Sequence, residues 1–421
     1  MTQSDRTVLE SMIRTSVRSV PEWCSHFNEV SRQHGEQVTL SERQLRRWMS
    51  GEVPNGQPAA RRVAEKVWRL SFKELVSPPA TAAPAPVVTT SDDVSKEISM
   101  STEDSARWIK RGAGGVDENV LDQLHADVRE AAADYLIRPP FELIPRLTQL
   151  RHDVFDMLDG RQRPRYLPDL YLIAGQICAL LAHACADLGR PYDADTHART
   201  AWFAADYAED QHLRAYVRWV QANIAYWARD YRRAARYAEG GLGDMTDPST
   251  RLRLASQLAR AQAANGDERA ALAALEIAKD AMTRVGPTTG APDVMWFDPG
   301  KAQYYAAETH LALGGRQHAR VALTHAEAAL DMFDLNSPPE FIAAAELDAA
   351  RAHLDLGDVE AAVGRMSRIL DLPVELRTTP IVERVVKTGD QLRALASNAR
   401  AGRELPDRIN LFTTYTAETR E

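Results

Sequence analysis

Five turn positions in this chain, Gly189, Arg229 (in Arg-Asp-Tyr), Gly266, Gly314 and Gly357, are each followed five residues later by alanine: Ala194, Ala234, Ala271, Ala319 and Ala362. Seven residues before the same positions stand Ala182, Ala222, Ala259, Ala307 and Ala350. With alanine filling about a quarter of this region, five such coincidences arise by chance roughly once in a thousand, so the register is a true internal repeat. Between the turns, apolar residues recur at three- and four-residue spacing almost to the C-terminus, and convincing strand alternation is absent. The chain is therefore all-α, and most of it is an array of helical hairpins.

This register resembles the tetratricopeptide repeat, whose unit is usually ~34 residues. The turn spacings here are 40, 37, 48 and 43 residues, so the helices or the connections between units are enlarged. In that family the first helix of each hairpin lines a concave groove. The resemblance puts His183, Asn223, Arg260, Glu308 and Arg351 at the middle inward position, with Gln176, Tyr216, Trp219, Tyr226, Arg253, Lys301 and Tyr304 around them. A groove of Asn, Arg, Lys and aromatic residues resembles those that hold extended peptides, with Asn on the peptide backbone, cations on carboxylates and rings on side chains. Salt bridges between repeats and core aromatics are the alternative use of the same residues. Helices over about Glu118–Tyr135 and Phe141–Leu158 should cap the N-terminal end of the array.

The first 76 residues differ in charge: they carry 12 Lys and Arg against 9 Asp and Glu, within a chain of net charge −8. Their informative stretch runs from Leu40 to Gly51. Ser41 can cap a helix there, with Gln44 reaching back in a capping box, Leu40 and Leu45 forming a hydrophobic staple and Gly51 ending it. At 100° per residue Arg43, Arg46, Arg47 and Ser50 share one face, opposite Leu45, Trp48 and Met49. Helices over Pro21–Gln33 and Pro58–Leu70 supply apolar stripes against which Trp48 can pack.

The order of helix, turn, capped basic helix ending in Trp-x-x-Gly and a further helix resembles the Xre-type, lambda-repressor-like helix-turn-helix. The resemblance implies that Arg43 and Gln44 read bases, that Arg47 reads a base or holds a phosphate, and that Ser41 and Arg46 contact phosphates. Arg61 and Arg62 open the following helix and would hold backbone phosphates. Arginine can grip guanine with two bonds and Gln can do the same to adenine, which suits these residue types to the task. The connection from Gln33 to Leu40 is longer than the tight turn of the standard motif.

These parts imply four segments: a helix-turn-helix DNA-binding domain over 1–76, a flexible Pro/Ala/Thr-rich linker over 77–102, a tetratricopeptide-like helical repeat domain over 103–402 and an irregular tail over 403–421. As a whole the chain resembles actinobacterial Xre-type regulators with tetratricopeptide sensor domains and, more distantly, peptide-responsive quorum-sensing regulators. The resemblance implies transcriptional control through a double-stranded DNA operator, a homodimer, and a peptide or small-molecule effector in the groove. A protein interaction scaffold, with a groove-bound protein partner and a helix-turn-helix that does not bind DNA, is the alternative.

No run approaches the roughly 18 uncharged apolar residues that a membrane helix needs, and the N-terminus lacks a secretory signal pattern, so the expected location is cytoplasmic. Three cysteines, Cys24, Cys178 and Cys185, make no disulfide framework. The glycine-rich stretch from Arg111 to Val116 lacks the ending of a phosphate loop and reads as a hinge. No nucleophile elbow, metal-ligand spacing or carboxylate pair is evident, so neither an enzyme nor a cofactor or metal site is implied.

Overall fold

Every regular element in the described residues is a helix. The computed structural model describes residues 6–16, 18–53, 57–68, 70–78, 91–110, 116–243, 245–286, 293–334, 336–395 and 405–417. The chain divides into two units, Met1–Met100 and Ser101–Glu421.

The first unit holds α1 (Val8–Thr15), α2 (Val20–Gln33), α3 (Glu42–Met49), α4 (Pro58–Trp68) and the single turn α5 (Phe72–Leu75). Leu9, Phe27, Leu45, Trp48, Val63, Trp68 and Phe72 form its core. Trp48 is completely buried, with its ring edge-on to Phe72 at 5.0 Å and to Phe27 at 6.0 Å. The long connection between α2 and α3 is held by side chains that replace the hydrogen bonds a tight turn would make. Ser31 Oγ reaches the carbonyls of Glu36 (2.8 Å) and Val38 (2.7 Å). The Asn28 side chain accepts from Leu40 N at 2.7 Å.

Helix α6 (Ser91–Lys110) contains the division between the units. The segment expected to be a flexible linker over 77–102 is thus helical from Ser91, while residues 79–90 lie outside the described residues, as do 111–115 of the expected hinge.

The second unit opens with α7 (Glu118–Asp134) and α8 (Pro140–Asp159). Five hairpins follow: α9 (Leu167–Asp187) with α10 (Pro191–Tyr207), α11 (Gln211–Trp227) with α12 (Tyr231–Leu242), and α13 (Pro248–Ala264) with α14 (Glu268–Met282). The last two are α15 (Pro299–Leu313) with α16 (Gly315–Met332) and α17 (Pro339–Leu356) with α18 (Val359–Ile369). All ten register alanines are at most 2% exposed, as helices in van der Waals contact require. All five turn positions adopt left-handed backbone, with φ of 72°, 61°, 83°, 76° and 88° from Gly189 to Gly357. Arg229 is the one that is not glycine. At Arg229, Gly266 and Gly357 the next residue is an aspartate, whose carboxylate caps the following helix at Arg233, Ala270 and Ala361 N. At these three, a left-handed residue stops one helix and the aspartate starts the next, which makes the turn very short.

Two expectations are corrected here. The irregular tail contains α20 (Leu405–Thr414), whose Leu405, Ile409 and Phe412 are buried against α19 (Thr379–Leu395). The contact is close, since a Cβ on Gly389 would meet Ile409 Cδ1 at 2.9 Å. And Pro164–Asp187, which covers α9, does have the length and mean hydropathy (1.5) of a membrane span, although Asp169, Gln176 and His183 interrupt its apolar run. In the fold 72% of its most apolar 18 residues is buried among the neighbouring helices.

Candidate functional site

On α3 the side chains divide by burial as the amphipathic pattern requires. Leu45 and Trp48 are fully buried and anchor the helix, and Arg43, Arg46 and Arg47 are exposed on its outer side. Ser41 Oγ accepts from Gln44 N at 3.3 Å and so caps the first turn. The capping box expected at this helix is not completed: Gln44 contributes its backbone N–H, and its side chain does not reach back. The boxes in this unit are Ser19 with Glu22 and Ser71 with Glu74. Arg46 and Arg47 make loose, exposed pairs with Glu42 (3.5 Å) and Glu52 (3.7 Å), worth little in water. Arg43 makes no ion pair among the described residues. Arg62, by contrast, is held by a two-pronged pair with Glu36 (2.8 and 3.1 Å). Arg61 is exposed.

In the second unit the residues expected to line a groove do converge, but they are mostly buried and bonded to one another. One cluster centres on Glu308. Its carboxylate accepts from Arg260 Nη1 (3.0 Å), Tyr226 OH (2.9 Å) and Arg384 Nη2 (2.7 Å). Arg260 also donates to Asn223 Oδ1 (2.7 Å) and Gln257 Oε1 (3.0 Å), and its guanidinium lies over the rings of Tyr226 and Tyr305. Burial pushes the Glu308 carboxyl up, but Arg384 and Arg260 outweigh it and hold it at about 2. Asp348, wholly buried beside Arg384 at 3.7 Å, has no hydrogen bond to either oxygen, and burial drives its carboxyl up to about 7. Tyr304 is buried near Arg384, and the Arg351 Nε is buried without a partner.

The sequence reading missed Arg384. It lies on α19, outside the repeat register, so no periodic offset pointed to it. Helix α19 packs against α17 and places this arginine among the inward side chains, where the reading expected an open groove.

The other cluster lies toward α7. His183 stacks on Tyr135 (4.6 Å), meets Trp219 edge-on (4.9 Å) and is held uncharged first by burial and then by nearby Lys301 and Arg253. Tyr135 OH donates to Asp187 at 2.7 Å. Lys301 lies over Phe341 (4.5 Å), and burial lowers its ammonium to about 8. Arg253 is 3% exposed and sits over Tyr216 (4.7 Å) and Trp219 (5.0 Å). It donates to Val294 O at 2.9 Å and has no carboxylate partner among the described residues. Open space adjoins this cluster: a cavity of about 770 Å³ lined by Gln176, Tyr216, Arg253 and Trp296 among others. The Gln176 Oε1 there is buried without a partner. Four acids line it: Glu130, and Asp210, Asp247 and Asp293, which accept from backbone N–H groups at Leu213, Thr250 and Met295.

No family model matches this chain, and no curated protein does. Among solved structures, a match is the crystal structure of Rap protein complexed with competence and sporulation factor, at 14% identity and a TM-score of 0.48, covering 70% of this chain and 76% of that one. A likeness of this degree carries neither fold nor function; the all-α assignment rests on the helices themselves. Among the described residues, no group of three or more His, Cys, Asp or Glu side chains could hold a metal ion, and Cys24, Cys178 and Cys185 are buried free thiols.

Proposed function

We propose that this protein is a sequence-specific DNA-binding transcriptional regulator of the Xre type, acting as a homodimer, whose repeat array binds a peptide or small anionic effector. The observation that carries the reading is α3: a capped helix fixed by Trp48 and Leu45 that presents Arg43, Arg46 and Arg47 to solvent, with Arg43 unpaired. Cations concentrated on one helix face can neutralise phosphates and reach base edges, whatever the net charge of the chain. Without the capping-box role, the Gln44 side chain is available to a base as well. One small domain reads too few base pairs for useful specificity, which is the reason for a dimer on two half-sites. Arg253 supports the effector: a buried guanidinium with one carbonyl bond has donors left for a ligand carboxylate in the adjoining cavity.

The test is a genome-wide capture of DNA by the purified chain at near-physiological salt, compared with Arg43→Ala/Arg47→Ala. Discrete sites that disappear in the variant are the expected result. Diffuse enrichment, or sites indifferent to the two arginines, would replace the reading with the protein-binding scaffold.

A further inference from the structure

At 100° per residue, Gln303, Ala306 and His310 lie across α15 from the inward Lys301, Tyr304 and Glu308. On that side, between α14 and α16 with α13 and α15 as its floor, is a cavity of about 540 Å³. Its walls are mainly aliphatic, from Leu252, Leu272, Leu275 and Met282, above a floor of small alanines. Volume and lining both fall in the range of small-molecule sites, where a few placed polar groups set the orientation of an apolar ligand.

The polar groups here are of a particular kind. Ser256 lines the cavity, is 1% exposed, and its Oγ has no hydrogen-bond partner. His325 Nδ1 lies 2.6 Å from Gln303 Oε1. That oxygen can only accept, so Nδ1 carries the ring proton and Nε2 keeps its lone pair. His318 Nε2 faces the Glu268 carboxylate at 3.5 Å, so its Nδ1 accepts from His310 Nδ1 at 2.9 Å. His310 is thereby left with a bare Nε2 as well, and its ring stacks on that of His325 at 5.7 Å. Burial keeps both rings uncharged; His310, next to His325 and His318, is lowered to about 4. Glu276 and Lys279, exposed residues of the lining, offset one another. The cavity thus offers two imidazole acceptors, a serine hydroxyl that can donate or accept, and an apolar body without net charge. The one cation of the lining, Lys279, is exposed and paired with Glu276 at 3.9 Å, and a ligand without a donor would forgo a hydrogen bond to the imidazole lone pairs.

We propose that this cavity binds an uncharged, mostly apolar small molecule bearing a hydroxyl group, a phenol or an alcohol, which donates its proton to His325 Nε2. The site is separate from the inward clusters and stands whether or not they bind an effector.

The experiment is calorimetric titration of the full chain with 2-naphthol, and with 2-methoxynaphthalene and 2-naphthoate in parallel. The first analogue has the ring without the donor, and the second carries a negative charge. The expected result is one 2-naphthol per chain, with each analogue about tenfold weaker or worse, the effect of one lost hydrogen bond. His325→Phe keeps a ring in place and should erase the preference for 2-naphthol over 2-methoxynaphthalene. Leu272→Trp, at a position 37% exposed, should fill the mouth and abolish binding of all three while the thermal midpoint is retained. No binding of 2-naphthol, equal binding of the hydroxyl and methoxy compounds, or binding indifferent to Leu272→Trp would each overturn the proposal.

Discussion

Asp348 and Glu308 are two buried carboxyls whose folded-state values are pushed in opposite directions, because one has bonded cations and the other has none within hydrogen-bonding geometry. For Asp348 the folded value, about 7, exceeds its ordinary 3.8. The unfolded chain releases this proton first as pH rises, so the contribution to stability is fully present below about pH 4 and is lost on the way to pH 7. Asp348→Asn removes that dependence. Its stability relative to wild type should therefore grow from pH 4 to pH 7 and stay level above, measured as urea midpoints; a constant gap would show a carboxyl ionised throughout. Glu308 has the opposite sign: its folded value of about 2 lies below the ordinary 4.5, so its contribution is present above pH 4.5 and lost as pH falls toward 2. Glu308→Ala strands Arg260 and Arg384 in the interior and should cost about 3–5 kcal/mol by chemical denaturation at pH 7.

At the scale of elements, the hairpin turns and the α3 cap are the informative features. Arg229 holds a left-handed conformation that glycine takes at four equivalent turns. Its exposed pair with Glu383 (3.1 Å) offsets little of the strain. Arg229→Gly should stabilise the protein by on the order of 1 kcal/mol, visible as a higher urea midpoint. Ser41→Ala removes the cap of α3 and should destabilise the first unit by about 1 kcal/mol, read from Trp fluorescence on denaturation. The hairpins were legible in the sequence because each turn must combine a left-handed residue with small residues at fixed distances. Helix α1, α5 and the helical part of the segment before Lys110 were not, since short or polar stretches leave little period to read. Helix α20 is a different case: its buried Leu405, Ile409 and Phe412 stand at i, i+4 and i+7, a helical spacing present in the sequence but carried by only three residues.

For the whole molecule, the residues expected to line one groove fall into two buried clusters, one at Glu308 and one at His183, and that state was not legible. His183, Asn223, Arg260, Glu308 and Arg351 came from a register, and a register says which side chains converge but not what else arrives among them. Arg384 arrives from α19, and with it the inner face of the middle hairpins becomes bonded to itself. On the proposed reading, an effector that reaches Glu308 must first displace that arginine. Its differential affinity for the displaced and closed forms then sets how far it can shift the equilibrium. For the effector proposed above, the cavity at Arg253 requires no such displacement.

The burial of α9 also has a consequence for synthesis. A helix with the composition of a membrane span leaves the ribosome before α10 and α11, the last of whose residues is 40 positions later, at Trp227. At typical elongation rates that interval is roughly 2–8 s, during which the nascent chain displays an apolar segment without two of the helices that bury it. Chains stalled or truncated between Asp187 and Trp227 should aggregate, read as loss from the soluble fraction, whereas chains extending past α11 have the partners to hide it.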